Sequence, residues 1–302
     1  RVEWRDRGRL RRAVRCIDLK VGRQAKFVQG FAVKSWLYPT QFSCNAQSVS
    51  NRQLALVTGA SSGIGREFAK SLAKIGYDII AVARRRELLE SLASELQVFG
   101  ADTKVVVADL STSGGVQSVI REASNVDYLI LNAGITRAAR VGSTSGDEIT
   151  KLNTLLATGV VEVCEAIVPK MMQRKMGSVV IVSSIAAFTP MPKSALYAAA
   201  KSYVTSYGRS LNLEVRKSGV RVCVVCPGYV RTELHQQAGL IHLRERVPKW
   251  LWIEPDDVVK AALRGLRKNK SVVVPGAVYR LARPFLGSGI AQNIWQRTTR
   301  RR

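Results

Sequence analysis

A tyrosine and a lysine lie four positions apart in the alanine-rich segment ALYAAAKSYV, residues 195–204. Residues at positions i and i+4 are neighbours on one face of a helix, so Tyr197 and Lys201 can reach each other or a common third group. A free tyrosine has a pKa of ~10 and is a poor acid at neutral pH, but a nearby positive charge stabilises its phenolate and lowers that pKa. The pair could therefore be an acid and the group that tunes it, although the spacing alone is typical of many surface helices.

The segment TGASSGIGREFAK, residues 58–70, places three glycines directly after an apolar run that is predicted to be a strand. Gly59, Gly63 and Gly65 allow a tight turn and a close backbone approach, and the following helix presents free N–H groups and the positive end of its dipole. A glycine pattern between the strand and the helix of a βαβ unit indicates a nucleotide-binding loop rather than a structural turn.

Three consecutive arginines follow the predicted second strand, directly after Ala83. An enzyme that prefers NAD usually has a carboxylate here, which binds the ribose 2′-hydroxyl and would repel a 2′-phosphate. Guanidinium groups favour a phosphate through charge-assisted hydrogen bonds, although a solvated basic turn has the same composition. The sequence therefore predicts NADP as the cofactor, with Arg84 as the first contact and Arg85 as the second.

The elements that must position these residues alternate regularly from about residue 52. Strands are predicted at 54–58, 78–83, 104–108, 128–131, 178–183, 221–226 and 271–274, and helices near 64–75, 86–98, 114–124, 147–174, 195–217 and 256–269. The strands are nearly continuous in Val, Ile, Leu and Ala, which is typical of strands covered on both faces. This alternation predicts an α/β fold, a Rossmann-type doubly wound parallel sheet of about seven strands with helices on both faces. In such a sheet, ligands bind beyond the carboxyl ends of the strands.

The charge of the chain, formally +25, is concentrated at its two ends. Residues 1–50 contain eleven Lys and Arg against Glu3, Asp6 and Asp18, and residues 258–302 contain eleven and no acid. We divide the chain into a basic N-terminal extension (1–50), a dinucleotide-binding catalytic domain (51–280) and a basic C-terminal tail (281–302). The extension has the composition of a transit segment, which would direct the chain to a plastid or mitochondrion; otherwise we expect a cytoplasmic protein.

Several classes of protein are not expected. No apolar run approaches the ~18 residues of a membrane span, and no segment matches a nucleic-acid-binding module. The five cysteines follow no secretory signal, so a disulfide framework is not expected. Cys223 and Cys226 lie three apart in a predicted strand and should face opposite sides of the sheet. The two histidines, His235 and His242, have no partners at metal-ligand spacing, so no metal site is expected.

Seven short motifs occur in order at workable spacings. They are TGASSGIG at 58–65, ADL at 108–110, NAG at 132–134, Asn153 within KLNTL, VSS at 182–184, YAAAK at 197–201 and PGYVRT at 227–232. With these motifs the sequence resembles the short-chain dehydrogenase/reductase family, in its single-domain form of about 250 residues, over roughly residues 52–280.

The resemblance implies a role for each matching residue. Tyr197 would give a proton to the carbonyl oxygen, Lys201 would hold the nicotinamide ribose and lower the pKa of the tyrosine, and Ser184 would bind the carbonyl. Asn153 would anchor a water that links the lysine to a proton relay. The implied catalytic set is Asn153, Ser184, Tyr197 and Lys201. The NADP site would comprise Gly59, Ser61, Ser62, Gly63, Ile64, Gly65, Arg84, Arg85, Asp109, Leu110, Asn132, Ala133, Gly134, Tyr197, Lys201, Pro227, Gly228 and Thr232.

The expected activity is reversible hydride transfer between a carbonyl and a secondary alcohol, and the substrate depends on a loop, residues 233–255. Its apolar Leu240, Ile241, Trp250 and Trp252 could line an apolar slot, while its basic Arg244, Arg246 and Lys249 could meet phosphates or an acidic carrier protein. These favour a lipid-like or 3-oxoacyl thioester substrate, although the same loop could be a packed lid helix. A steroid or small-molecule alcohol dehydrogenase, a catalytically silent NADP-binding or scaffold protein, and an anion-binding accessory protein are the alternatives. The resemblance also implies a homo-oligomer, a dimer or tetramer paired through the helices at 147–174 and 195–217.

Overall fold

The computed structural model describes residues 52–136, 139–233 and 247–289. These residues form a parallel sheet in the order β3-β2-β1-β4-β5-β6-β7. The strands are β1 (Gln53–Thr58), β2 (Tyr77–Ala83), β3 (Thr103–Val107), β4 (Tyr128–Leu131), β5 (Gly177–Val182), β6 (Val220–Val225) and β7 (Val272–Val273). The chain winds outward from β1 to β3 and then returns to β4 on the other side of β1. This reversal makes the edge beyond β1 and β4 the topological switch point, where sheets of this kind bind ligands.

Eight α-helices cover the sheet within the described residues. They are α1 (Gly63–Lys74), α2 (Arg86–Leu96), α3 (Ser113–Glu122), α4 (Gly146–Asn153), α5 (Gly159–Gln173), α6 (Ala195–Val215), α7 (Pro255–Arg267) and α8 (Ala277–Ala282). The predicted strands and helices are confirmed to within a few residues. The predicted helix at 147–174 differs in one respect, because a π-helical turn, Thr154–Thr158, separates α4 from α5. A short 3-10 turn, Ile185–Phe188, and the short helix α8 were not predicted. None of the helices in the described ranges is long and apolar enough to cross a membrane.

Two hydrophobic cores lie on the two faces of the sheet. Helices α3, α5 and α6 bury apolar side chains in one core, and α1, α2 and α7 bury theirs in the other. Successive residues of a strand alternate between the cores, since strand side chains point to opposite faces. Cys226 belongs to the first core and Cys223 to the second, which confirms that the C-x-x-C spacing does not pair these thiols. Both are fully buried.

Tyr279 ties α8 to the segment that follows β6. Its hydroxyl donates to the carbonyl of Leu251 at 2.6 Å and accepts from the backbone N–H of Tyr229 at 3.1 Å. Its ring lies against Gly228, where an added Cβ would be 2.1 Å from ring carbon Cζ. The side chain is 6% exposed. This one buried hydroxyl therefore fixes the segment at 228–230 against the body of the domain.

Replacing Tyr279 with phenylalanine should lower the free energy of unfolding by about 1–3 kcal/mol, because two inward-facing backbone groups lose their partner. Urea denaturation measures this change. Tyr203→Phe is the matched control, since Tyr203 is 49% exposed on α6, and it should change stability by no more than ~0.5 kcal/mol. Equal effects of the two variants would contradict the anchoring role.

Candidate active site

A cavity of about 460 Å³ opens beyond the carboxyl ends of β1, β2, β4, β5 and β6. Its volume is within the range of small-molecule and cofactor sites. The cavity brings together, from the predicted set, Gly59, Ser61, Ser62, Gly63, Ile64, Arg84, Arg85, Asp109, Leu110, Asn132, Ala133, Gly134, Ser184, Tyr197, Lys201, Pro227, Gly228 and Thr232. Residues far apart in the sequence meet here because parallel strands all end at the same edge.

The glycine loop between β1 and α1 has a shape that only glycine permits. Gly59 and Gly63 have φ angles of +68° and +56°, in the left-handed region that disfavours other residues. Gly65 has an ordinary φ, but a Cβ there would lie 2.2 Å from the carbonyl oxygen of Gly59. The loop thus passes close to the first turn of α1 and leaves the helix N-terminus open to the cavity. This cradle fits a phosphate group, because free N–H groups and the helix dipole favour an anion there.

Arg85, at the end of β2, reaches back across the glycine loop. Its Nη2 donates to the hydroxyls of Ser61 and Ser62, each at 3.1 Å, and its Nη1 lies 3.4 Å from a carboxylate oxygen of Glu233. Arg84 is more exposed and acts electrostatically on Asp109. Arg85 is thus held over the loop, and Arg84 lies beside the neighbouring strand end; the order in which the two arginines contact a phosphate stays a prediction. Arg85 is the N-cap residue of α2 and has an extended backbone.

Asp109 follows β3 and Asn132 follows β4, two strands that flank the β2-β1 pair in the sheet. Partial burial opposes ionisation of Asp109, but hydrogen bonds from the N–H and hydroxyl of Ser111 and the charge of Arg84 lower its pKa. The carboxylate is thus ionised and held in place at the cavity wall. The amide nitrogen of Asn132 donates to the carbonyl of Thr58 at 3.0 Å. The same nitrogen donates to the carbonyl of Gly59 at 3.4 Å. Both of its N–H groups thus have partners, so the predicted contact of Asn132 with a ribose would use the carbonyl oxygen.

Ser184, Tyr197 and Lys201 face the same cavity from β5 and α6. Ser184 follows β5, and its hydroxyl accepts from the N–H of Ala186 at 3.1 Å. Burial raises the pKa of Tyr197, and a hydrogen bond with Ser184 opposes that rise. The predicted lowering of this pKa by Lys201 is not found. Burial outweighs the hydrogen bond, and the lysine Nζ is 5.8 Å from the centre of the tyrosine ring. A phenol that keeps its proton is nevertheless the form that a proton donor needs.

Lys201 is buried and held by backbone. Its Nζ donates to the carbonyl of Val182 at 2.9 Å, and its own carbonyl accepts from the Ser183 hydroxyl at 2.9 Å. Thr205 donates to Ser183 at 2.7 Å and lies 3.9 Å from the sulfur of Cys226. Burial lowers the pKa of Lys201 to about 8. The ammonium is therefore mostly charged at neutral pH and loses its proton as the pH rises past that value.

Asn153 is not brought to the cavity. It ends α4 on the exposed side, and its carbonyl accepts from the hydroxyl of Thr158 at 3.5 Å. Leu155, within the π-helical turn, lines the cavity instead. The next residue, Leu156, is buried, and a Cβ placed on Gly134 would lie 3.2 Å from Leu156 Cδ2 and 3.7 Å from Lys201 Nζ.

Apolar residues of the cavity were missed by the motif analysis. Leu155, Ile185, Met191, Tyr229 and Val230 line it. The available signal was that Tyr229 and Val230 lie within the PGYVRT motif and that Ile185 directly follows VSS. Of the predicted substrate loop, Leu240, Ile241, Arg244 and Arg246 lie outside the described residues, as do His235 and His242. Among its described residues, Trp250 is largely exposed, whereas the ring of Trp252 packs on Tyr229 with centroids 5.5 Å apart.

The sheet order and the glycine cradle define a Rossmann-type dinucleotide-binding domain, and comparison with known proteins places it more narrowly. A profile of the family described as short chain dehydrogenase matches residues 53–240. The chain belongs to this family of oxidoreductases.

Several individual proteins resemble the chain over most of its length. A very-long-chain 3-oxoacyl-CoA reductase of Anas platyrhynchos is 28% identical over 256 residues, covering 82% of this chain and 80% of that protein. Carbonyl reductase family member 4 of Xenopus laevis is 29% identical over 215 residues, covering 70% and 89%. The structure of a short-chain dehydrogenase from Sphingobium yanoikuyae in complex with NADPH superposes with a TM-score of 0.71 and 30% identity, covering 81% and 95%.

Replacing Tyr197 with phenylalanine should lower turnover at least ~100-fold, the scale expected for loss of a general acid, because the ring stays but its proton is gone. Cofactor affinity should barely change. Initial rates of carbonyl reduction and a fluorescence titration with NADPH measure the two quantities. Retention of more than a tenth of wild-type turnover would show that another group protonates the substrate.

Asn153→Ala should leave turnover within about threefold of wild type, the scale of an ordinary surface substitution. The physical reason is that the side chain lies on the exposed side of α4. Ser184→Ala, assayed in parallel, should lose about 100-fold or more if it removes a hydrogen bond to the reacting oxygen. A loss at Asn153 as large as that at Ser184 would mean that the side chain reaches the site during the reaction.

Proposed function

We propose that this protein is an NADPH-dependent oxidoreductase that interconverts a ketone and a secondary alcohol. The observation that carries the proposal is that Ser184, Tyr197 and Lys201 face the same cavity as the glycine loop. A proton donor and a phosphate cradle are thereby combined in one site. The NADPH complex of the Sphingobium yanoikuyae relative and the reductase names of the two other relatives support it.

Each end of the cavity has residues that suit one half of a dinucleotide. Gly59, Gly63 and Gly65 would cradle the pyrophosphate, and Lys201 with Thr232 would hold the nicotinamide half. When bound, NADPH supplies a hydride to the carbonyl carbon. The chain's own residues would do the rest: Ser184 would hold the carbonyl oxygen, and Tyr197 would give that oxygen the proton from its hydroxyl.

The choice of NADPH over NADH would depend on Arg85. Ala83 stands where a carboxylate would bind a 2′-hydroxyl, so nothing at that position repels a 2′-phosphate. The Arg85 guanidinium is already fixed by the hydroxyls of Ser61 and Ser62, which reduces the entropy lost when it meets a phosphate. Arg84 would add a second positive charge from the neighbouring strand end.

The substrate that we propose is lipid-like, with a 3-oxoacyl thioester as the leading case. The apolar lining by Leu155, Ile185, Met191 and Tyr229 favours an apolar substrate, and the similar protein of Anas platyrhynchos acts, by its name, on very-long-chain 3-oxoacyl-CoA. The further proposal that an acidic carrier protein bears the thioester rests only on the basic residues of the loop at 233–255. A steroid or small-molecule alcohol dehydrogenase would use the same apolar walls.

One observation favours a second candidate, an NADP-binding protein of little catalytic activity. The predicted relay residue Asn153 is not among the residues that line the cavity. A panel of ketones assayed by NADPH oxidation separates the two functions. Turnover above one per second on any ketone supports the reductase, whereas tight NADPH binding without turnover supports the silent protein.

Two properties of the whole chain complete the proposal. Residues 1–50 would direct it to a plastid or mitochondrion, as their acid-poor composition favours, and a fluorescent fusion of that segment tests the targeting. The domain would form a dimer or tetramer through α5 and α6. Exposed Tyr203 and Leu213 on α6 are consistent with a covered face, and sedimentation equilibrium tests the assembly.

Cofactor affinity provides the quantitative test. NADPH should bind at least about tenfold more tightly than NADH, a difference of roughly 1.4 kcal/mol. Arg85→Ala should remove most of that preference and Arg84→Ala less, because only Arg85 is held over the loop. Ala83→Asp should reverse it by repelling the phosphate. Arg86→Ala is the matched control, since Arg86 pairs with Glu90 and is not part of the cavity wall. Equal affinities of the wild type for the two cofactors would contradict the assignment.

A further inference from the structure

A second cavity, of about 210 Å³, lies beside the first one. It is enclosed by the loop at 139–144, the inner face of α4 and the start of α6. The two cavities share four lining residues, Ile135, Lys193, Ser194 and Tyr197. The tyrosine therefore forms part of the wall of both cavities.

The walls of the second cavity are mainly aliphatic. They include Ile135, Ile149, Leu152, Leu156 and Leu196, whereas Val141 is fully exposed at the rim. The charged members of the lining, Arg140 and Lys193, are both exposed and therefore belong to the rim. A space with an aliphatic interior and a polar rim favours an apolar group, because that group leaves water without losing hydrogen bonds.

The loop over this cavity is held by backbone hydrogen bonds. The N–H of Ala139 donates to the carbonyl of Lys193 at 2.7 Å, which joins the loop to the segment before α6. Lys193 has a φ of +63°, an uncommon conformation for a residue with a side chain. The Arg140 carbonyl accepts from the N–H and hydroxyl of Ser143, at 3.1 and 2.8 Å. The cavity is thus built by defined contacts and does not depend on a single side-chain rotamer.

We propose that the second cavity holds one of the two substituents of the substrate's carbonyl carbon, a compact apolar group, while the other substituent lies in the first cavity. This inference rests on the proposed function, because Tyr197 fixes the carbonyl only if it is the proton donor. A trigonal carbon directs its two substituents to opposite sides of the oxygen, and Tyr197, which would meet that oxygen, lines both cavities. The substrate is therefore an internal ketone whose smaller, apolar substituent lies in the second cavity.

Isomeric nonanones test the proposal, because they differ in the smaller substituent, methyl to butyl, but not in composition. Wild-type kcat/KM, measured by NADPH oxidation, should rise at least about tenfold from the methyl to the butyl isomer, the usual scale of apolar discrimination. Leu152→Trp fills the second cavity and should lower kcat/KM for the butyl isomer at least about tenfold, but for the methyl isomer less than about threefold. Leu152→Ala enlarges the cavity and should shift the preference toward branched substituents.

Val98→Trp is the control, since Val98 is 82% exposed and lines neither cavity, and it should leave the ratio between isomers unchanged. A wild type that prefers the methyl isomer, or a Leu152→Trp variant that loses activity equally on all isomers, would overturn the proposal. If no isomer is reduced, the proposed function fails, and calorimetry then decides the inference separately. Binding of the butyl isomer to the NADPH complex of the wild type but not of Leu152→Trp supports the cavity assignment, and equal or no binding overturns it.

Discussion

The site depends on a single hydroxyl at the switch point of the sheet. Thr58, the last residue of β1, is 2% exposed, and its hydroxyl donates to the carbonyl of Ile130 at 3.2 Å. The same oxygen accepts from the N–H groups of Asn132 and Ala133, at 2.9 and 3.0 Å. These bonds satisfy backbone groups that the strand ladder leaves unpaired where β4 ends. They also fix the glycine loop after β1 relative to the residues after β4. The distance between the phosphate cradle and the opposite wall of the cavity is therefore constant.

The sheet could be predicted almost completely from the sequence, because strands buried on both faces are continuous apolar runs and leave little ambiguity of period. The glycine loop was equally clear, since its left-handed φ angles and close contacts restrict the residue type. Which of Arg84 and Arg85 reaches across the glycine loop was not predictable. Residue type is the same at both positions, and only the folded structure shows that the Arg85 guanidinium donates to the hydroxyls of Ser61 and Ser62.

The misplacement of Asn153 has a different cause. A regular helix through 147–174 would carry one set of residues toward the lysine, but the π-helical turn at Thr154–Thr158 widens the helix and changes the phase. No residue type predicts a π-helical turn, so packing in the folded structure decides which face of the helix reaches the site. The second cavity could not be predicted from the sequence for a related reason. An irregular loop covers it, and this loop is held by a backbone hydrogen bond between Ala139 and Lys193, two residues that are far apart in sequence.

The three cysteines in the described part of the chain have a chemical consequence beyond packing. Cys164, Cys223 and Cys226 are fully buried. Burial raises the pKa of all three thiols, to about 12 for Cys223 and about 11 for Cys226. Alkylating reagents and peroxides attack the thiolate, which is scarce at such pKa values and shielded by the folded chain. Cys226 is close to the site: its sulfur lies 3.9 Å from the hydroxyl of Thr205, and Thr205 donates to Ser183, which donates to the Lys201 carbonyl. The folded domain should nevertheless tolerate electrophiles and oxidative stress at the three cysteines.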